Sequence, residues 1–321
     1  MTGLVRPPGI GVRPDRDALT AAIADWLTAE ALIDLVRAFG GPVPSQVRLD
    51  LDELRTWSAE HWDFRAQKER NLVDPEMVTG ELEARVIDAA TELGLVEPAK
   101  PCFDSYDHVL MLGGLVRACL WRPQFAAHLL ATGTRAGQVT ALSGFRALNQ
   151  AELELLDVFD LEGAAEEHEV MAQALARHFG VTDLVDVVPL DERVEPNLRC
   201  RVATGHTTTG LAASLVVAPS RDAARRANTP DSYAYWAEHV AHITPGQRVL
   251  MVTSAIYVPF QHTDAVRTLA IPYGCVVDTV GIDMDYVDDW GEPQVFRGVN
   301  YLQEINSMIR SLYALEEALR Q

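Results

Sequence analysis

A mostly parallel β-sheet between helix layers, preceded by an all-helical region, is the α/β fold class this sequence predicts. Three observations predict it: five short, fully apolar runs that each end in a small-residue loop, helix-period segments between them, and a first hundred residues with helical periodicity alone. In the N-terminal part, Leu19, Ile23, Leu27 and then Leu32, Leu35, Val36 recur at helical spacing until Gly40-Gly41 stops them, which predicts one long helix or two short ones. LDLDELRTWSAEHWDF and GELEARVIDAATELGL continue this pattern, so residues 1–98 form the predicted helical region, with Pro98-Ala-Lys-Pro101 as the boundary to 99–321. Beyond it HVLMLGG, QVTALSG, SLVVAPS, RVLMVTS and GCVVDTV are the predicted strands. Runs apolar on both faces belong to strands buried on both sides, as in parallel sheets covered by helices. Helices are expected at Pro123 to Ala131, Glu162 to Phe179 and Pro230 to Ala241, and an amphipathic one from Tyr301 with Leu302, Ile305, Met308, Ile309, Leu312 and Leu315.

Charge narrows the function classes. With 46 Asp+Glu against 27 Lys+Arg the chain carries a formal −19, which repels phosphate backbones and anionic lipid, so neither nucleic acid nor a membrane is expected as a partner. The N-terminal residues, with Pro7, Pro8 and Pro14, hold no signal-peptide core, and Cys102, Cys119, Cys200 and Cys275 are widely spaced. Four reduced thiols in a cytoplasmic protein are the expectation. All but two basic residues are arginine, the exceptions being Lys68 and Lys100.

Several motifs fail. Gly9-Ile-Gly11 has neither a third glycine nor a preceding strand, Gly205 to Gly210 is not followed by Lys-Ser/Thr, and Ser143 sits in no GxSxG elbow. Glu238-His239-Val-Ala-His242 lacks metalloprotease spacing, and Asp283, Asp285, Asp288 and Asp289 lack the spacing of a calcium loop, so no metal is expected.

What survives is a set of loops, each following a predicted strand: Leu112-Gly113-Gly114, Ser143-Gly144-Phe145-Arg146, Pro219-Ser220-Arg221 leading through Arg225, Arg226 and Asn228 into a helix capped by Thr229 with Asp231 in its first turn, and Thr253-Ser254 followed by Tyr257 and His262. In parallel sheets ligands bind at these carboxyl ends. The order of these loops, with Arg122 ahead of a helix and Glu169 and Met171 within the next, resembles the YdcF-like family over about residues 105–285. That resemblance implies a Rossmann-like domain whose polar pocket takes a nucleotide or an S-adenosylmethionine-like ligand. Gly113, Gly114, Arg122, Ser143, Gly144, Glu169, Thr229, Thr253 and Ser254 fall on its motif positions. The sequence departs from it at Phe145, at Asp231-Ser232, and at Tyr257 and Phe260, which stand where the family has a His and an Arg.

The expectation is therefore a small anionic ligand at the strand ends and a group-transfer reaction, with Glu169, Asp231 or Ser143 in a chemical role and Arg146 and Arg226 as counter-charge. Phe145 and Tyr257 are candidates to stack on a flat ring, and His262 to replace the missing His. The alternatives are hydrolysis of a phosphorylated metabolite, a non-catalytic binding protein, or a homodimer built on the N-terminal helices and the helix from Tyr301. Between Arg193 and Asn228 six arginines face two acids, Glu195 and Asp222, a local +4 that suggests an arginine-lined cleft.

Overall fold

The computed structural model describes residues 5–13, 15–44, 48–64, 74–287 and 295–321. Pro14, Lys68, Asp288 and Asp289 lie outside them. Two compact units make up the chain, and they are not colinear with it: one comprises 1–98, 255–267 and 294–321, the other 99–254 and 268–293.

The first unit is helical. Its N-terminal elements are α1 (Arg16–Thr28), α2 (Glu30–Ala38), α3 (Leu51–His61) and α4 (Gly80–Glu92). The 17–40 segment is thus two helices, broken at Ala29, whose extended backbone starts α2 without a side-chain cap. Asp15 and Asp50 cap α1 and α3 by accepting from Ala18 N and Glu53 N. Two later pieces complete this unit: α9 (Val258–Ala265) and the long α11 (Gly298–Arg320). α11 packs on α3, α4 and α9 and is buried along most of its length, polar residues such as Gln303, Asn306 and Ser307 included. Ser58 Oγ donates to Asn306 Oδ1 at 3.1 Å. This helix is core in its own unit.

The second unit carries the sheet. Its elements are β1 (Ser105–Leu112), α5 (Val116–Ala131), β2 (Arg135–Ser143), α6 (Gln150–Leu153), α7 (Glu167–Phe179), β3 (Val185–Val188), β4 (Arg201–His206), β5 (Ala212–Val217), α8 (Thr229–Trp236), β6 (Arg248–Thr253), α10 (Ile271–Tyr273) and β7 (Val276–Gly281). The strand order is β3-β4-β5-β2-β1-β6-β7. β5, β2, β1, β6 and β7 are parallel, while β4 runs antiparallel between β3 and β5. All five expected strands form, because their Val, Leu, Met and Ala side chains are buried on both faces. Val109, Met111, Val139, Ala141, Leu215 and Leu250 pack with Trp121, Phe125, Met171 and Leu175 of α5 and α7. On the opposite face the His108 ring meets that of Trp236 edge-on at 5.2 Å. β3 and β4 were not legible as strands, and every β3 residue is exposed.

Helix ends follow local chemistry. α7 stops at Gly180 in the left-handed region, φ 67°, and α8 gives way to a π turn over 237–241 that ends at His242, φ 50°. α5 starts seven residues before the expected Pro123, which sits inside it. Among the described residues no helix is long and apolar enough to cross a membrane.

Candidate functional site

The chain leaves β1 in one direction, through α5 to β2, and reaches β6 on the other side of β1, so the strand order reverses between β1 and β6. Open parallel sheets bind ligands at the carboxyl side of such a reversal. Here the loops that end β1, β2 and β6 are Gly113-Gly114, Ser143-Gly144-Phe145-Arg146 and Thr253-Ser254.

Arg122, one of the largest fully buried side chains, ties the first of these loops to the third. It projects from the second turn of α5 back to the strand ends, where Nη1 donates to the carbonyls of Leu112, at 2.7 Å, and of Gly113, and Nη2 donates to Ser254 Oγ at 3.2 Å. Arg146 stands beside it. Its Nη1 and Nη2 fork onto Glu152 at 2.6 and 2.8 Å, Nη2 also donates to Gly114 O at 2.9 Å, Nη1 to Ala147 O at 3.3 Å, and Nε to Glu167 Oε2 at 3.1 Å. All five guanidinium donors are committed within the chain, which leaves Arg146 its field but no direct grip for an anion.

Glu152 and Glu167 are the residues that sequence reasoning missed. Glu152, in α6, is 3% exposed and accepts from Val116 N and Asn149 N besides Arg146. Burial raises its carboxyl's pKa, but the Arg146 fork and these N–H groups outweigh burial and hold it below the usual range. Glu167 opens α7, with its side chain 11% exposed. It accepts from Ser143 Oγ at 3.3 Å, and a Cβ on Gly113 would lie 2.2 Å from its Oε1. Burial pushes its pKa up, against the pull of Arg146, Ser143 and Arg122. The Cys119 thiol, donating to Gly114 O at 3.3 Å, is pushed up by the same burial.

Most of the other expected site residues have partners of their own. Glu169 is a helix cap: its Oε2 accepts from Ala165 N at 2.7 Å and Glu166 N at 3.0 Å. Its neighbour Glu167, two residues earlier, has the position in the cluster. Asp231 completes a capping box with Asn228, accepting from Asn228 N at 3.0 Å, and takes Arg225 Nη1 at 2.6 Å. The cap of α8 is Asn228, with Thr229 as its first helical residue, one position from the expected Thr229 cap. Arg226 lies exposed in the loop before it. Phe145 meets the His168 ring edge-on at 5.2 Å, and burial lowers the His168 pKa. Thr253 is fully buried at the end of β6. Tyr257 and His262 belong to the first unit, where Tyr257 packs edge-on to Phe260 and Phe296, and buried His262 contacts Pro8 O through Nε2 at 3.2 Å. Met171 is core beneath α7. Among the described residues no three His, Cys, Asp or Glu side chains are grouped to hold a metal ion.

The arginines between 193 and 228 largely serve the chain itself. Arg193 holds Asp191, Arg199 donates to the carbonyls of Val194 and Glu192, and Arg201 pairs with Asp186.

Comparison with known proteins corrects the family expectation. Residues 11–94 match the family model described as the Rv3785 N-terminal domain. The chain is 29% identical to the protein Rv3785 of Mycobacterium tuberculosis H37Rv over 94% of its own length and 92% of the relative's, and is equally similar to Mb3814 of Mycobacterium bovis, both carried under the description "uncharacterized". No solved structure matches. The YdcF-like resemblance is overturned: the match found covers the helical region that resemblance left out, the full-length relatives are of the Rv3785 type, and Glu169, one of its motif positions, serves here in a helix cap.

Proposed function

We propose that the second unit binds a small anion-bearing metabolite at the carboxyl ends of β1, β2 and β6. The observation that carries this reading is the buried Arg122–Arg146–Glu152–Glu167 cluster under two glycine loops at the strand-order reversal. A fold gains little from burying four charged groups where apolar side chains would pack, so their presence at that place favours a ligand role. Gly144, with no atom nearer than 3.9 Å to a Cβ built on it, lets a ligand approach the backbone closely, and Ser143 and Ser254 add hydroxyls at its edge. Group transfer to or from the metabolite, or its hydrolysis, is the chemistry such a site would host. Among the described residues Ser143 Oγ donates to Glu167 and is paired with no histidine, which disfavours a serine nucleophile. The nucleotide and S-adenosylmethionine readings lost their basis with the family resemblance and enter as probes. A cytoplasmic setting is part of the proposal, in keeping with four free cysteines.

The test is mass spectrometry of molecules released from the heat-denatured protein, together with thermal shift against sulfate, ATP and S-adenosylmethionine. A released anionic metabolite, or a Tm rise with one of these probes that Gly144→Ala removes, supports the reading. Absence of both refutes it. Turnover of a bound ligand, against its recovery intact, separates an enzyme from a non-catalytic binding protein.

A further inference from the structure

Two carboxylates share one guanidinium in the cluster, and they share it unequally. Glu152 takes the Arg146 fork at 2.6 and 2.8 Å and two backbone N–H groups, each at 3.1 Å. Glu167 takes the single Nε at 3.1 Å through Oε2, while its Oε1 accepts only the longer Ser143 bond at 3.3 Å. That Oε1 fills the space over Gly113, 2.2 Å from a Cβ built there, and lies 4.0 Å from one built on Gly144, whose side is open. A ligand seated on Gly144 therefore meets the less well satisfied oxygen of the less well satisfied carboxylate.

We infer that anion binding at this site takes up one proton on Glu167. The inference rests on the reading above that the strand ends bind an anion. With both glutamates ionised, Arg122 and Arg146 are cancelled and the cluster is neutral, and an anion over Gly144 faces a carboxylate. With Glu167 protonated, the cluster carries +1 and Oε1 becomes a hydroxyl that donates to the ligand. Where two carboxylates compete for one site, the one with fewer donors protonates first. The groups facing Glu167 are Ser143 from β2, Arg146 from the loop after it, Arg122 and Cys119 from α5, and Glu152 through Arg146. On its own helix stand His168, turned to Phe145 and 3.2 Å from Glu166, and Glu169, engaged in the cap. Burial acts in the same direction on Glu167, raising its pKa.

The experiment is isothermal titration with sulfate, which stays fully ionised between pH 5.5 and 8, in two buffers of different ionisation enthalpy. Sulfate affinity should fall with rising pH, by up to about tenfold per unit above the free-site pKa, with close to one proton taken up per sulfate bound. Glu167→Gln, a mimic of the protonated carboxyl, should bind at every pH about as tightly as the wild type does at low pH. Wild-type affinity that ignores pH, with no proton uptake, overturns the linkage and leaves the anion site standing. An undiminished pH dependence in Glu167→Gln assigns the proton elsewhere and also overturns it. Sulfate that binds neither protein overturns the anion site and this inference with it. Should the variant fail to fold, the two-buffer measurement on the wild type decides alone.

Discussion

Adding one methyl group separates the two glycine loops, because the loops are not equally filled. At Gly113 a Cβ would sit 2.2 Å from Glu167 Oε1, 2.8 Å from Leu142 O and 3.2 Å from Ser143 Cα. Glu167 can retreat only by loosening its contacts to Arg146 and Ser143, and hydrogen bonds to charged groups are worth about 1.5–3 kcal/mol each. Leu142 cannot retreat by rotation, since its carbonyl is backbone and the residue pairs with Leu112 in the β1–β2 ladder. Overpacking of this kind costs about 1–3 kcal/mol, so Gly113→Ala should lose about 3 kcal/mol in all. At Gly144 the nearest atoms to a Cβ are Arg146 N at 3.9 Å and Glu167 Oε1 at 4.0 Å, ordinary contact distances. Gly144→Ala should stay within about 0.5 kcal/mol of the wild type while obstructing a ligand on the loop. The assay is urea unfolding followed by thiol labelling of Cys119, which is buried in α5 beside Gly114 and reports on the second unit by itself. With m near 2–3 kcal/mol per molar, the Gly113→Ala midpoint should fall by about 1 M and that of Gly144→Ala by less than about 0.3 M. Equal midpoints for the two variants would refute the packing argument.

Three further substitutions test other parts of the fold. Arg122→Met removes the donor shared by Leu112 O, Gly113 O and Ser254 Oγ and should cost about 3 kcal/mol in the same labelling assay, against under about 1 kcal/mol for Ser254→Ala, which leaves the two carbonyl bonds intact. Asn228→Ala should cost about 1 kcal/mol and Thr229→Ala a few tenths, because the side chain that caps α8 belongs to Asn228. In the first unit, the Arg297 guanidinium and the Gly298 N–H hold the Glu83 carboxyl at about 2 against an ordinary 4.5. A pKa lowered by folding gives stability that is present above 4.5 and lost as pH falls towards 2. Acid titration by circular dichroism should therefore show Glu83→Gln less stable than wild type at pH 6 and the two converging near pH 2.

The parts of this fold that the sequence displayed are those where a single physical demand acts on neighbouring residues. β1, β2, β5, β6 and β7 are buried on both faces, so their apolar runs stand out, and the small residues that end them mark the carboxyl edge. β3, Val-Asp-Val-Val, is short and exposed on both faces, and it runs into Pro189 instead of a small-residue loop, so its valines lack the pattern of the buried strands. α11 looked amphipathic because its apolar stripe is regular, yet its polar positions Gln303, Asn306 and Ser307 are buried as well, through contacts of high sequence separation such as Ser58 to Asn306. The sequence points to Glu169 as the carboxylate of the site, although a capping box needs an acid at the third helical position and Glu169 occupies it once the helix begins at Glu167. A helix start misplaced by five residues hides that box and so hides Glu167. Glu152 was out of reach, since its partner Arg146 is fixed by the turn between β2 and α6 and by no motif. The short loop motifs suggested a family that the full-length matches do not support, because glycine and serine at strand ends follow from the parallel sheet and carry little information about ancestry.

The six arginines between Arg193 and Asn228 suggested an arginine-lined cleft, and their partners argue for a different source of anion attraction. Arg193, Arg201 and Arg225 each pair with an aspartate, Arg199 binds two carbonyls, and Arg221 stands 3.8 Å from Glu238. A paired exposed arginine adds little to the field a small ligand meets, and salt screens what remains within about 10 Å. Arg122 and Arg146 are different, being buried where screening is weak and the local dielectric is low. Arg193→Ala with Arg221→Ala should therefore leave sulfate affinity within about twofold of wild type, whereas Arg122→Met should remove it in protein that is still folded by circular dichroism. A tenfold loss from the exposed pair would return the attraction to the loop arginines. It would also separate it from Glu167, since neither Arg193 nor Arg221 is among the groups that act on that carboxyl.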